Sequence, residues 1–258
     1  FDENKGFKAL NVLSAVGALY SSGLEESIVR AMGTGAITKV KDSMNKKGIE
    51  ILLTTDPSNM NYLTGYDGWS FYVPQGVIVS IDEEQPYWFG RKQDSNGARI
   101  TTSLNEENIF GYPEKLIQSP PSHPYDFVVQ LFKDKKWSDK NIGVEMDSYY
   151  YTAENHKRLI DNLTNAKFIN AHLLINWVRY IKSENEIKYM KDAGILVKAG
   201  MQTAFNSIKE GEKQSTVAGK IQNTLIGGND VTQMGGEYAG LGLILASGKS
   251  ASASHLTP

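Results

Sequence analysis

Residues 58–75 read Ser58-Asn59-Met60-Asn61-Tyr62-Leu63-Thr64-Gly65-Tyr66-Asp67-Gly68-Trp69-Ser70-Phe71-Tyr72-Val73-Pro74-Gln75. Three Tyr, one Trp and one Phe stand here among Asn, Asp and Gly, between two apolar runs at residues 49–54 and 76–81. The flanking runs have the length and β-branched content of strands, so the segment reads as a Gly-punctuated loop between them. Aromatic rings with polar tips on such a loop suit the wall of a small polar-ligand pocket. The same residues equally suit a strand–turn–strand with its rings in the core.

Composition narrows the class. The chain has 258 residues, 40% hydrophobic and 22% charged, which fits a globular protein of one large or two ordinary domains. A formal net charge of −2 offers no electrostatic attraction to nucleic acid or to an anionic membrane. The absence of cysteine excludes disulfides, thiolate metal sites and thiol nucleophiles, and suits a reducing cytoplasm. No apolar run approaches the ~18 residues of a membrane span. Phe1-Asp2-Glu3-Asn4-Lys5 lacks the basic start of a signal peptide. The expectation is a cytoplasmic protein.

Outward from the aromatic segment, strands alternate with helices. Residues 37–47 form an amphipathic helix on Ile37, Val40, Lys41 and Met44, stopped by Gly48, while Gly23, Gly33 and Gly35 are read as breaks in the segment before it. Asp56-Pro57 reads as a turn. Strands are expected at 77–81, 87–89, 142–145 and 166–169, and helices at 125–135 and 153–162. Residues 90–99 read as a polar loop carrying Arg91 and Arg99, and residues 117–124 hold three prolines and no regular structure. His123, His156 and His172 are assigned to loop, packing or surface. This alternation points to an α/β (α+β) layer domain with a mixed sheet. A helical run at 173–181 precedes Ser183-Glu184-Asn185-Glu186, which has capping-box spacing. Behind it Ile187, Met190, Gly194, Val197, Met201, Ala204 and Ile208 mark one apolar face of a long helix ending near Gly211. A second helix follows on Val217, Ile221 and Leu225, closed by Gly227-Gly228, and a strand is expected at 241–246. Gly248-Lys249-Ser250 lacks the earlier glycine of a phosphate loop and is not one.

Two separated motifs carry a resemblance, residues 59–72 and the closing Ser254-His255-Leu256-Thr257, and two further stretches are similar, Gly90 to Arg99 and Glu145-Met146-Asp147-Ser148-Tyr149-Tyr150-Tyr151. Together they resemble the creatinase and Xaa-Pro peptidase family, and within it the ectoine hydrolases. The resemblance spans residues 37–258 and departs from the family over residues 1–36 and at Pro258, where an aromatic is expected. It implies a divergent segment 1–36, a creatinase-like N-terminal domain at 37–178, and the first part of a pita-bread catalytic domain at 179–258 that continues past Pro258.

The resemblance also implies a chemistry. Xaa-Pro peptidases hold two divalent metal ions that activate water; ectoine hydrolases cut a ring C–N bond with no metal pair, so no cofactor and no metal ligand are expected here. His255 matches the first active-site histidine and would serve as general acid and base. Arg91 and Arg99 are candidates to receive a substrate carboxylate. Trp69, Phe71 and Tyr72 would bind the small-molecule substrate, and in a homodimer with shared active sites they would roof the partner's pocket. The expected function is opening of the ectoine ring to N-acetyl-diaminobutyrate. The alternatives are a metal-dependent Xaa-Pro dipeptidase or aminopeptidase, and a non-catalytic peptidase-like binding domain.

Overall fold

The computed structural model describes residues 26–228, 243 and 245–253. They fall into two compact units, one spanning Glu25–Ile181 and the other including the residues from Lys182 onward.

The first unit is a six-stranded mixed sheet with helices on both faces. Its strands are β1 (Ile51–Thr54), β2 (Gly76–Ser80), β3 (Tyr87–Arg91), β4 (Ile109–Tyr112), β5 (Asn141–Val144) and β6 (Lys167–Asn170), in the order β4-β3-β2-β1-β5-β6. β1–β2 and β2–β3 pair antiparallel, while β3–β4, β1–β5 and β5–β6 pair parallel. The mixed α/β sheet expected from the pattern is therefore present.

Side-chain alternation distributes the strands between two cores. Ile51, Leu53, Ile78, Tyr87 and Phe89 face one side, against Tyr125, Val128, Phe132 and Leu159 of helices α4 (Pro124–Asp134) and α5 (Ala153–Asn162). Leu52, Val77, Val79 and Trp88 face the other. There they meet Val40 and Met44 of α1 (Glu26–Lys46), Met60 and Leu63 of α2 (Pro57–Thr64), Ala98 of α3 (Ser95–Thr101), and Leu174 and Ile175 of α6 (Leu174–Tyr180). With both faces covered, the strands read as nearly continuous apolar runs.

Several local readings change. α1 begins at Glu26 and runs through Gly33 and Gly35, because a glycine weakens a helix by about 1 kcal/mol without forbidding it. Gly48, at φ +65, does end it: the Ile49 and Gly48 amides donate to the Met44 and Asn45 carbonyls in a Schellman pattern. Asp56-Pro57 starts a helix instead of a turn. Asp56 caps α2 by accepting from the Asn59 amide at 3.1 Å, Pro57 stands in the first turn, and Gly65 closes it at φ +79. The first seven of the eighteen residues of the aromatic segment are thus helical. Residues 90–99 are also structured, as the end of β3, a 3-10 turn and α3. β4, at residues with no assignment from the sequence, completes the sheet edge. His123 caps α4 through Nδ1, which accepts from the Tyr125 amide.

In the second unit, α7 (Glu184–Ser207) opens with the capping box of Ser183 and Glu186 and packs on α8 (Gln214–Gly227). Its buried residues are Ala193, Leu196, Gly200 and Ala204, of which Ala204 alone belongs to the stripe expected. Both stripes have helical spacing, but small residues allow close approach: a Cβ on Gly200 would lie 2.7 Å from Leu225. Ile187 and Met190 stay exposed. Residues 243, 245 and 246 are not in a strand. Instead Gln214 Nε2 donates to the Leu245 carbonyl, and Gln214 Oε1 accepts from the Ser247 amide.

Candidate functional site

The aromatic segment leaves α2 through Gly65 and is anchored before its rings emerge. The Tyr66 ring is buried 5.3 Å from Trp88, and its hydroxyl donates to Gln75 Oε1 at 3.0 Å. Burial pushes this phenol above its ordinary value. The Asp67 amide donates to Thr101 Oγ1 of α3 at 3.2 Å. Tyr66 and Asp67 thus fix the chain at the point where it reaches the surface.

Beyond them lies a rim of rings. Trp69 and Tyr72 are 61% and 66% exposed, high for side chains of that size in a folded unit. Trp69 meets Phe71 edge-on at 4.7 Å, and Phe71 meets Tyr150 edge-on at 5.6 Å. Tyr150 belongs to the second aromatic stretch, between β5 and α5. One of its tyrosines therefore joins the first segment, while Tyr151 enters the core. Tyr149 is almost wholly exposed.

The two arginines have partners. Arg91 Nε donates to Asp94 at 3.1 Å and Nη2 donates to the Tyr72 hydroxyl at 3.2 Å, so it braces a rim residue. Arg99 forms a two-pronged pair with Glu106, 2.8 Å from Nε to Oε2 and 2.6 Å from Nη2 to Oε1. Its hydrogen bond holds the Glu106 carboxyl below the usual carboxylate range. His255 lies outside the described residues. Among the described residues, no three His, Asp or Glu side chains converge as a metal-ligand set, and no helix is long and apolar enough to cross a membrane.

The two aromatic stretches are also joined at the start of α2, by a buried polar group to which the sequence assigns no role. Glu145, directly after β5, is 3% exposed. Its Oε2 accepts from the Thr55 and Asp56 amides at 2.9 and 3.1 Å, and its Oε1 accepts from Asn59 Nδ2 at 2.7 Å. Asn59 Nδ2 also donates to Asn176 Oδ1 at 3.0 Å, and Asn59 Oδ1 accepts from Arg179 Nη1 at 3.0 Å. One amide thus lies between a carboxylate and a guanidinium, with its dipole aligned to both. Burial pushes the Glu145 carboxyl up, against the downward pull of these donors. A charged residue closing an apolar strand was the available signal; its partners lie too far away in sequence to be inferred.

Known proteins share this architecture. Residues 37–181 match the family described as Creatinase/Prolidase N-terminal domain. The chain is 41% identical over 228 residues to an ectoine hydrolase of Halomonas elongata, covering 86% of this chain and 57% of that protein. It is 42% identical over 192 residues to an uncharacterized hydrolase/peptidase of Sinorhizobium fredii, covering 74% of this chain and 49% of the relative. Among solved structures, an Xaa-Pro dipeptidase from Bacillus anthracis superposes with a TM-score of 0.57 at 18% identity, over 73% of this chain and 47% of that one. The chain spans about half the length of the relatives it matches.

Proposed function

The chain belongs to the creatinase/prolidase N-terminal domain family, and from that premise we propose that it serves a hydrolase that opens the ectoine ring at a C–N bond. One observation carries the reading: 41% identity over 228 residues to an ectoine hydrolase. Ectoine is a cyclic amidine that carries a carboxylate. Water adds to the amidinium carbon, the C–N bond breaks, and the departing nitrogen takes a proton, giving N-acetyl-diaminobutyrate. His255 is the proposed base for the water and acid for the nitrogen. Trp69, Phe71 and Tyr72 are aromatic residues whose ring faces suit a delocalised cation. We assign them to substrate selection, delivered to the pocket of a second copy in a homodimer, and they transfer no proton. Arg91 holds Tyr72 in place, and Arg99, whose fork rests on Glu106 in the free protein, would exchange that partner for the substrate carboxylate.

The test is ectoine hydrolysis by the full-length protein, with and without a chelator, scored for the N-acetylated product. Product formation at an unchanged rate under chelation, abolished by His255→Ala, is the expected outcome. Cleavage of Xaa-Pro dipeptides that chelation stops would replace this reading with the metallopeptidase. Intact ectoine opening in His255→Ala would remove the histidine mechanism.

A further inference from the structure

The two aromatic stretches come from different parts of the chain, yet both lead back to one residue, Glu145. The first, residues 66–72, continues from α2. The start of α2 is held by Glu145, whose Oε2 accepts from the Thr55 and Asp56 amides and whose Oε1 accepts from Asn59 Nδ2. The second stretch begins at Glu145 itself. The Ser148 amide donates to the Glu145 carbonyl at 3.1 Å and the Tyr151 amide to the Ser148 carbonyl at 3.1 Å, so consecutive turns run from the Glu145 backbone to the core. A further tie crosses between them, from Thr55 Oγ1 to Ser148 Oγ at 3.2 Å, and Ser148 Oγ also accepts from the Tyr150 amide at 3.3 Å. At the surface the halves meet again, Phe71 on Tyr150.

We propose that Glu145 is a positioning residue that roots both halves of the aromatic rim and sets Phe71 against Tyr150. The substrate role of the rim is the reading proposed above, on which the functional consequence rests. Glu145 itself touches no substrate. Its carboxylate is the acceptor for the β1–α2 corner, its backbone carbonyl begins the tyrosine stretch, and Asn59 passes its orientation to Arg179 in the last turn of α6. The donor pattern makes the role specific to a carboxylate. Three N–H groups point at the two oxygens, so an amide at this position must aim its own NH₂ at one of them.

Hydrogen–deuterium exchange on wild type, Glu145→Gln and the double variant Glu145→Gln/Asn59→Asp tests this without any ligand. In Glu145→Gln, exchange should rise in residues 66–72 and 148–151 together, while α5 keeps its wild-type protection. The double variant should restore both segments. Its introduced glutamine can keep the side-chain oxygen on the two backbone amides and donate to a carboxylate at position 59, which still accepts from Arg179. In the full-length enzyme the ectoine KM should rise about tenfold in Glu145→Gln, the loss of roughly one charged hydrogen bond, with kcat changed less, and fall again in the double variant. Unchanged exchange in either segment overturns the proposal. So does a rise spread evenly over the unit, α5 included, with no recovery in the double variant. Coupled exchange changes in a protein whose wild type does not turn over ectoine leave the positioning role standing and remove the ectoine reading.

Discussion

Replacing Asn59 with Ala tests the buried network most directly. The side chain is 1% exposed and makes three hydrogen bonds, to Glu145 at 2.7 Å and to Asn176 and Arg179 at 3.0 Å. Those to the carboxylate and the guanidinium are charge-assisted, each worth about 1.5–3 kcal/mol. The Arg179 bond is only part-buried and takes the lower end of that range. Glu145 keeps two backbone donors, so its charge is not left bare. Alanine is the better helix former by about 0.6 kcal/mol, which offsets a little. The net expectation is a loss of about 3 kcal/mol, equivalent to roughly 6–12 °C in the melting temperature of a unit this size. All four tryptophans lie within the first unit, at 69, 88, 137 and 177, so intrinsic emission in urea follows that unit alone. A loss below about 1 kcal/mol, the range of an exposed ion pair, would mean that water replaces the Asn59 bonds freely and would refute the network as a structural anchor.

The raised Glu145 carboxyl gives a sign for pH. Above the ordinary value of 4.5 the unfolded chain ionises first while the native chain keeps its proton, so Glu145 makes stability fall as pH rises until the native carboxyl has ionised. Urea midpoints of wild type minus Glu145→Gln, taken at a series of pH values from 4.5 upward, should show this decline, and a flat difference would contradict it. Trp69→Ala should raise the ectoine KM about tenfold by removing one aromatic contact and leave the pH dependence of turnover unchanged; an altered pH profile with unchanged binding would count against a selecting role. Ser183→Ala should destabilise α7 by about 1 kcal/mol, read by far-ultraviolet circular dichroism, with no change in the tryptophan-monitored transition. Arg99→Gln should narrow the preference for ectoine over its uncharged carboxamide analogue, and equal losses on both would rule Arg99 out as the carboxylate receptor.

What the sequence made legible was local. α5, α8 and the capping box of α7 were read from signals within a few residues of each element: caps, apolar spacing and glycine stops. α2 was missed although Asp56, Pro57 and Gly65 are a start, a first turn and a stop, because its eight residues are too few for periodicity to outweigh a turn-like dipeptide. The face of α7 differs from the expected one at all but Ala204, because apolar spacing marks more than one stripe, whereas close helix contact selects small side chains. The rim rings were visible because they cluster in sequence. Glu145, Asn59 and Arg179 were not, since their contacts span 86 and 120 residues.

That separation bears on why the carboxylate is there. A buried charge is a poor source of stability, since desolvation cancels most of what its partners return, and Glu145 shows this in its raised carboxyl. An apolar side chain at the end of β5 could fill the space, but it could not order the donors around it. The carboxylate accepts from the backbone at Thr55 and Asp56 and from the Asn59 side chain, while its own backbone begins the tyrosine stretch. Three of the stretches that carry the family resemblance or flank it thus meet at one point: the aromatic segment through Asn59, the tyrosine stretch through Glu145, and the end of α6 through Arg179. Such an arrangement trades stability for a fixed geometry at the rim. It follows that variants here should be judged by how they move the rim as much as by how they shift the melting temperature.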